Sequence, residues 1–443
     1  MKIKTINTTL PRPGLTFYAI AIVIGFLTGA LGASFHQLVE YSTLWSQHLP
    51  KVLGLKGLPL YIAMAVFSAA LICFGVALVR VFAPEAGGSG VQEIEGAMVG
   101  KRLIRWKRII PIKFIGGFTV LTGGLIGGRE GPTIHMGASI AKGISDRFSF
   151  TLAEKRSLWG AGGAAGLASA FNAPLASIIF VLEEARNDFP YTMRNYAAVV
   201  LACGCSAIAT GLISGVRPFM AMSATAMPLE FLPVFVVLGV LFGVLGVAFN
   251  FGLMRALEWA QKIGLRFSPY LVPALLGCVL GPLLVSLPEA AGGGERFVVA
   301  VVKNPLPIAL LGLVALLRFF GTMASYSTGA PSGIFAPILS LATTVAVLFA
   351  GVLEWFVDMP TDATVAIAVA GMAALFASTV RAPLVGMVLV AELTGTYALA
   401  LPVLIASITS SLVAELLGGR PIYEVLLERT INLNIAGLND KPK

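Results

Sequence analysis

Residues 57–79, 195–216, 231–254, 267–288, 319–353 and 393–414 contain no Asp, Glu, Lys or Arg. Each run reaches the ~20 residues an α-helix needs to cross the hydrocarbon core of a bilayer. In that solvent every backbone N–H and C=O must be satisfied within the protein, and a helix does this within one segment. A soluble protein with unusually buried helices is the alternative, but it needs polar faces that these runs lack. Charged residues make up 12% of the chain, about half the ~25% usual in a soluble domain. The expected class is an all-α polytopic membrane protein.

The scarce charges indicate orientation. Lys2, Lys4 and Arg12 precede the first apolar run at 15–34, which is too long for a signal-peptide core. Basic residues concentrate on the cytoplasmic side of membrane proteins. Both termini are therefore expected there, the second on the strength of Arg420, Arg429, Lys441 and Lys443. Lys101, Arg102, Arg105, Lys107 and Arg108 read as a further anchor of this kind and not as a nucleic-acid surface. Cys73, Cys203, Cys205 and Cys278 lie in apolar stretches and form no C-x-x-C pair, so redox and zinc motifs are not indicated. His36, His48 and His135 are too scattered for a metal centre. Neither a metal nor a cofactor is expected, and no catalytic residue.

The chain also repeats itself. AGGAAGLASAFNAPLASIIFVLE (161–183) and AGMAALFASTVRAPLVGMVLVAE (370–392) match at 11 of 23 positions, at a fixed offset of 209. The shared Ala-Pro-Leu and the glutamate nine positions after its proline set this apart from chance agreement among small residues. GREGP (128–132) and GIFAP (333–337) align at an offset of 205 with Gly and Pro in register. The expected organisation is a first membrane repeat at 15–215, a linker at 216–230 and a second repeat at 231–430. Segments 1–14 and 431–443 lie outside the repeats.

Duplicated halves with Gly/Pro-interrupted apolar segments in matching places point to a transporter-type fold, in which broken helices meet near the midplane. Close packing of small residues accounts for the Gly-Ala stretch at 161–170, but not for the recurrence of the breaks. Four broken segments carry groups able to contact a ligand: GGSGV (87–91), GREGP (128–132), GIFAP (333–337) and GGRPIY (418–423). A helix start leaves N–H groups unpaired and carries a partial positive charge. Several converging starts would bind an anion without a full positive charge, with the hydroxyls of Ser89 and Tyr423 as further donors. Such a site suits a monovalent anion that must also leave.

GSGVQEIEGA, GREGP, GIFAP and GGRPIY, in that order, resemble the CLC family of chloride channels and chloride/proton antiporters. The resemblance extends from the first apolar run to about Thr430. It implies two inverted-topology repeats and a homodimer with one pathway per subunit. It also implies a chloride site formed by Ser89, Tyr423 and the GIFAP backbone at Gly333, Ile334 and Phe335. Glu130 of GREGP would occupy the outer anion position and move aside when protonated. In FVLEEARND (180–188) the second carboxylate, Glu184, would be the internal proton-transfer residue. Glu183 has a repeat partner in Glu392 and is expected to be structural, as is Glu95. With 13 residues after Thr430, the regulatory domains attached to many relatives are not expected.

One departure concerns the family's GSGIP, where this chain has Val91 and then Gln92. Ser89 still favours chloride, since the nitrate-selective branch resembles this motif with proline at the serine, and the fluoride branch also differs here. Arg129 is expected either to widen the anion funnel or to position Glu130. His135 is expected to be a packing or hydrogen-bonded residue of the same helix. The functional expectation is a chloride/proton antiporter of a bacterial inner membrane, whose partners are chloride, protons, a second copy and the lipid bilayer. The alternatives are a passive chloride channel of the same family and, from GGSG (87–90), an intramembrane serine protease. The latter explains neither the repeat nor GREGP and GIFAP.

Overall fold

The computed structural model describes residues 14–184 and 192–435. Lys2, Lys4, Arg12, Lys441 and Lys443, with segment 1–13 and residues 436–443, lie outside these. The described chain is helical, with no β-strand. The first half comprises α1 (Leu15–Leu53), α2 (Leu58–Phe82), α3 (Val91–Met98), α4 (Trp106–Thr122), α5 (Glu130–Ser145), α6 (Leu152–Phe171), α7 (Pro174–Glu183) and α8 (Met193–Ser214). The second half follows the same order: α9 (Leu232–Arg266), α10 (Leu271–Ser286), α11 (Glu295–Lys303), α12 (Ile308–Ser327), α13 (Phe335–Leu353), α14 (Ala363–Val380), α15 (Pro383–Thr394) and α16 (Ala400–Leu416). A final helix, α17 (Ile422–Ile435), follows them. Eight helices among the described residues are long and apolar enough to cross a membrane.

Packing repeats as the sequence does. α1 lies against α8 as α9 lies against α16, α5 against α6 as α13 against α14, and α2 against α10 where the halves meet. The Gly-Ala stretch of α6 is buried, and so is almost all of α14. Small residues let backbones approach: a Cβ on Gly137 of α5 would strike the Gly162 carbonyl of α6, and a Cβ on Gly162 the Gly137 carbonyl. In a bilayer, where apolar burial between helices gains little, such contact is what holds spans together.

The halves run in opposite directions. Just before α5 and α13 begin, Gly128 and Gly333 form an antiparallel bridge. The Gly128 N–H donates to the Gly333 carbonyl at 2.9 Å, and the Gly333 N–H donates to the Gly128 carbonyl at 2.7 Å. The two helix starts therefore meet head to head, the inverted arrangement anticipated from GREGP and GIFAP.

Short helices create ends that need partners inside the protein. α7 has 10 residues and α15 has 12, so at ~1.5 Å per residue neither spans a ~30 Å core. Each begins with proline, whose missing N–H is no loss at a first helical position. The next two N–H groups are capped from the opposite half. Glu183, at the end of α7, accepts from the Leu384 N–H at 3.3 Å and the Val385 N–H at 2.8 Å, at the start of α15. Glu392, near the end of α15, accepts from the Leu175 N–H at 3.1 Å and the Ala176 N–H at 2.7 Å, at the start of α7. This exchange is the structural role expected of Glu183, and it explains why the repeat retains a glutamate nine residues after each proline.

These caps make a measurable contribution. Glu183→Ala or Glu392→Ala strands two N–H groups at a helix start and should destabilise the protein by about 1–3 kcal/mol. The thermal midpoint of detergent-solubilised protein should fall accordingly in each variant. A variant that melts with the wild type would remove that glutamate from the capping role.

Candidate functional site

Three breaks converge on the bridge between α5 and α13. From GREGP comes Glu130, the first residue of α5, fully buried and folded back over Gly128. Its Oε1 accepts a hydrogen bond from the Ala336 N–H in the first turn of α13. Its Oε2 is buried without a partner among the described residues. A Cβ on Gly333 would stand 2.8 Å from the Gly131 backbone N and 3.3 Å from that Oε2, so a side chain there would crowd the start of α5 and the carboxylate beside it. α13 opens Ile334-Phe335-Ala336-Pro337, and its first intrahelical bond is from the Ile338 N–H to the Ile334 carbonyl at 3.0 Å. The N–H groups of Ile334 and Phe335 precede that bond and are not used by the helix itself.

From GGSGV comes Ser89. Gly88 has φ 61° and Gly90 has φ 92°, left-handed values that glycine adopts without strain. They fold the turn so that Ser89 sits beside Gly131 of α5, where a Cβ would stand 2.8 Å from the Ser89 Cα. Ser89 is fully buried, and its Oγ has no hydrogen-bond partner among the described residues. Tyr423, in the first turn of α17, is fully buried too, with its hydroxyl equally unpartnered. The Tyr423 ring packs edge-on to Phe335 at 5.7 Å between centroids, and Phe335 stacks on Phe376 at 5.1 Å. The Ser89 hydroxyl, Glu130 and Glu184 all lie within electrostatic reach of the Tyr423 hydroxyl. Ser89, Glu130, Gly333, Ile334, Phe335 and Tyr423 are thus brought into one buried place, with Glu184 near it at the end of α7.

The Ser89 and Tyr423 hydroxyls are two of several buried polar atoms without a partner among the described residues. What sets these two apart is that they can donate and sit beside helix starts whose N–H groups also donate. The Glu130 carboxylate lies on one of these helix-start donors, the Ala336 N–H. The residues fit a small monovalent anion.

Several contributors were not foreseen from sequence. Lys113 of α4 is fully buried, and its Nζ donates to the carbonyls of Gly88 at 2.6 Å and Ser89 at 3.1 Å. It holds the turn that carries Ser89. A single lysine within the apolar stretch 109–126 was the available signal, since ionisable groups at membrane depth are usually functional. Tyr326 of α12 accepts the Ser89 N–H on its hydroxyl at 3.3 Å.

The remaining candidates sort themselves by geometry. The Gln92 amide lies against Gly88 beside the Tyr326 hydroxyl. His135 packs against Gly90, and neither ring nitrogen has a hydrogen-bond partner among the described residues, so it is a packing residue. Arg129 forms an ion pair with Glu295 at 2.6 Å, rests 5.1 Å over the Phe219 ring and donates to the Ala170 carbonyl at 3.3 Å. It is therefore held in place, with little of its side chain exposed. Of the basic cluster, Arg102 is committed to Glu93 of α3, at 2.6 and 3.1 Å. No group of His, Cys, Asp or Glu able to hold a metal ion occurs among the described residues.

Comparison with known proteins agrees with the fold. Residues 69–415 match the model of the family described as voltage gated chloride channel. The chain is 41% identical over 425 residues to the "H(+)/Cl(-) exchange transporter ClcA" of Vibrio cholerae, covering 93% of this chain and 89% of that protein. It is 38% identical to the protein of the same name from Salmonella arizonae, over 94% of this chain and 89% of that one. Among solved structures, that of a slow cyanobacterial Cl-/H+ antiporter superposes with a TM-score of 0.89 at 37% identity, over 94% of this chain and 98% of that one. A eukaryotic CLC transporter shares the fold at a TM-score of 0.76 and 23% identity, over 93% of this chain and 74% of that one. The chain belongs to the voltage gated chloride channel family, the CLC proteins, and has their fold.

Proposed function

We propose that this protein exchanges chloride for protons across a membrane, through a pathway running past Ser89, the α13 start and Glu130. The observation that carries the reading is the seat of the Glu130 carboxylate on the Ala336 N–H. That is a position where an anion gains from unpaired donors and the helix dipole. An ionised Glu130 competes with chloride for these donors. A protonated Glu130 has lost the charge that held it there, so chloride can enter and a proton is loaded by the same event. Ser89 and Tyr423 hydroxyls, with the N–H groups of Ile334 and Phe335, would hold chloride deeper in the pathway. Lys113 adds attraction without touching the ion, which suits an ion that must leave again.

Exchange is favoured over a passive channel because a second carboxylate, Glu184, stands near Tyr423 while Glu183 is engaged in capping. The names of the relatives support the same choice. The two repeats, 15–215 and 231–430, would act as one transport unit per chain. Matching exposed leucines at the starts of α7 and α15, Leu175 and Leu384, support an apolar face for a second copy. The reading places the protein in a bacterial inner membrane with both termini cytoplasmic, Ser89 towards that side and Glu130 towards the other.

Paired chloride and proton flux in liposomes tests the gate. Wild-type exchange should quicken as external pH falls, because protonation releases the ionised plug. Glu130→Ala should pass chloride at a rate independent of external pH and move no protons against their gradient. Proton pumping driven by chloride in that variant would overturn the mechanism.

The inner carboxylate separates its two candidates. Glu184→Gln should retain chloride movement while coupled proton movement falls to background, whereas Glu183→Gln should lose stability and keep coupling. The reverse pattern would exchange their roles.

Chloride affinity tests the two hydroxyls. Hydrogen bonds to a charged partner contribute about 1.5–3 kcal/mol each, so Ser89→Ala with Tyr423→Ala should weaken binding roughly tenfold or more by calorimetry. Transport should persist on the backbone donors. Unchanged affinity would take both side chains out of the site.

A further inference from the structure

The turn that carries Ser89 has a counterpart in the other half. Pro84-Glu85-Ala86 and Pro288-Glu289-Ala290 both form single 3-10 turns, at an offset of 204. Gly88 and Gly90 have φ 61° and 92°, and Gly292 and Gly294 have φ 63° and 86°. Lys113 braces the first turn from α4. Arg318, 205 residues later in α12, braces the second, donating to the carbonyls of Glu289 at 2.9 Å and of Ala291 and Gly292 at 3.4 Å. Inverted topology puts this second turn at the opposite mouth from Ser89. Where the first turn leads into α3 with Val91, the second leads into α11 with Glu295.

Glu295 is the residue paired with Arg129. Both line a pocket of about 150 Å³, together with Gly127, Glu40, Arg296 and Arg318. The pocket reaches almost to the gate, because Gly127 is followed by Gly128, over which the Glu130 carboxylate is folded. Its walls carry three arginines and two glutamates. From α1, Glu40 pairs with Arg296 at 2.6 Å and lies 3.4 Å from the His36 Nε2. From α12, Arg318 is spent on backbone carbonyls and on the Ser340 hydroxyl at 2.9 Å. Arg129 is the cation next to Glu130, and Glu295 occupies it while remaining about a quarter exposed.

We propose that Glu295 is a tethered anion governing chloride access at this mouth, in series with Glu130: its carboxylate sits on Arg129, where an incoming chloride would otherwise gain most. The inference rests on the exchange pathway proposed above. A small anion approaching the pocket meets Arg129 already neutralised and a carboxylate to repel it. Opposite charges a few ångströms apart attract one another, so the pair bears on the chloride concentration at which the mouth fills. Glu295 differs in this from a brace. A brace helps Arg129 attract chloride, and its loss harms uptake, whereas a competitor's loss improves it.

The test is the half-saturating external chloride concentration in liposomes, at low ionic strength and at one pH, for wild type, Glu295→Gln and Glu295→Ser. Either variant that reconstitutes serves, and serine keeps a hydroxyl at the helix start should glutamine disturb it. Half-saturation should fall at least about threefold, the gain should shrink as an impermeant salt screens the pocket, and the chloride-to-proton ratio should stay that of the wild type. Half-saturation that is unchanged or raised makes Glu295 a brace and overturns the inference. A wild type that moves chloride without driving protons counts against the exchange reading instead, and the half-saturation comparison still decides the role of Glu295.

Discussion

Two helix starts facing each other within a membrane protein present a problem that the rest of the molecule resolves. α5 and α13 each end in unpaired N–H groups carrying about half a positive charge, and like ends repel. The Gly128–Gly333 bridge satisfies one N–H and one carbonyl on each side and ties the ends together. The Glu130 carboxylate, placed between them on the Ala336 N–H, offsets their charge. An arrangement that gains stability from an anion is the kind of place where the proposed pathway would take up a different one.

The same economy recurs at the half-length helices. Their starts would be orphaned at membrane depth, and Glu183 and Glu392 cap them across the repeat boundary. Carboxylates at helix starts therefore have two uses in this fold. Where the N–H groups belong to helices with no pathway beside them, the cap is permanent. Where hydroxyls and a buried lysine stand nearby, as at Ser89 and Lys113, the proposed exchange requires that the carboxylate give way to a free ion. Neighbouring donors decide between the two, since Glu130 and Glu183 are the same residue type at equivalent kinds of site.

Much of this was legible in the chain itself. Uncharged runs dictate membrane helices because hydrocarbon tolerates no unpaired backbone. A repeat with Gly-x-x-x-Pro breaks in register announces two halves and broken helices at GREGP and GIFAP. Ser89 and Tyr423 could be singled out as hydroxyls in broken segments and Glu130 as the carboxylate of GREGP, whereas Ile334 and Phe335 followed from the resemblance to the CLC family. Glu183 could be separated from Glu184 because only the former recurs, as Glu392.

Other features existed only once the chain was folded. Lys113 and Arg318 stand in the interiors of helices, and nothing local indicates that their side chains end on the turns at Gly88 and Gly292. The Arg129–Glu295 pair joins residues of opposite halves, so its partner cannot be found by period or motif. His135, with unpartnered nitrogens, packs against Gly90, a contact between separate segments. Sequence by itself determined which segments enter the bilayer and where the backbone breaks, since solvent and covalent geometry act residue by residue. The tertiary structure alone decided which charge meets which, because a buried charge takes its partner from whatever the packed helices bring within reach.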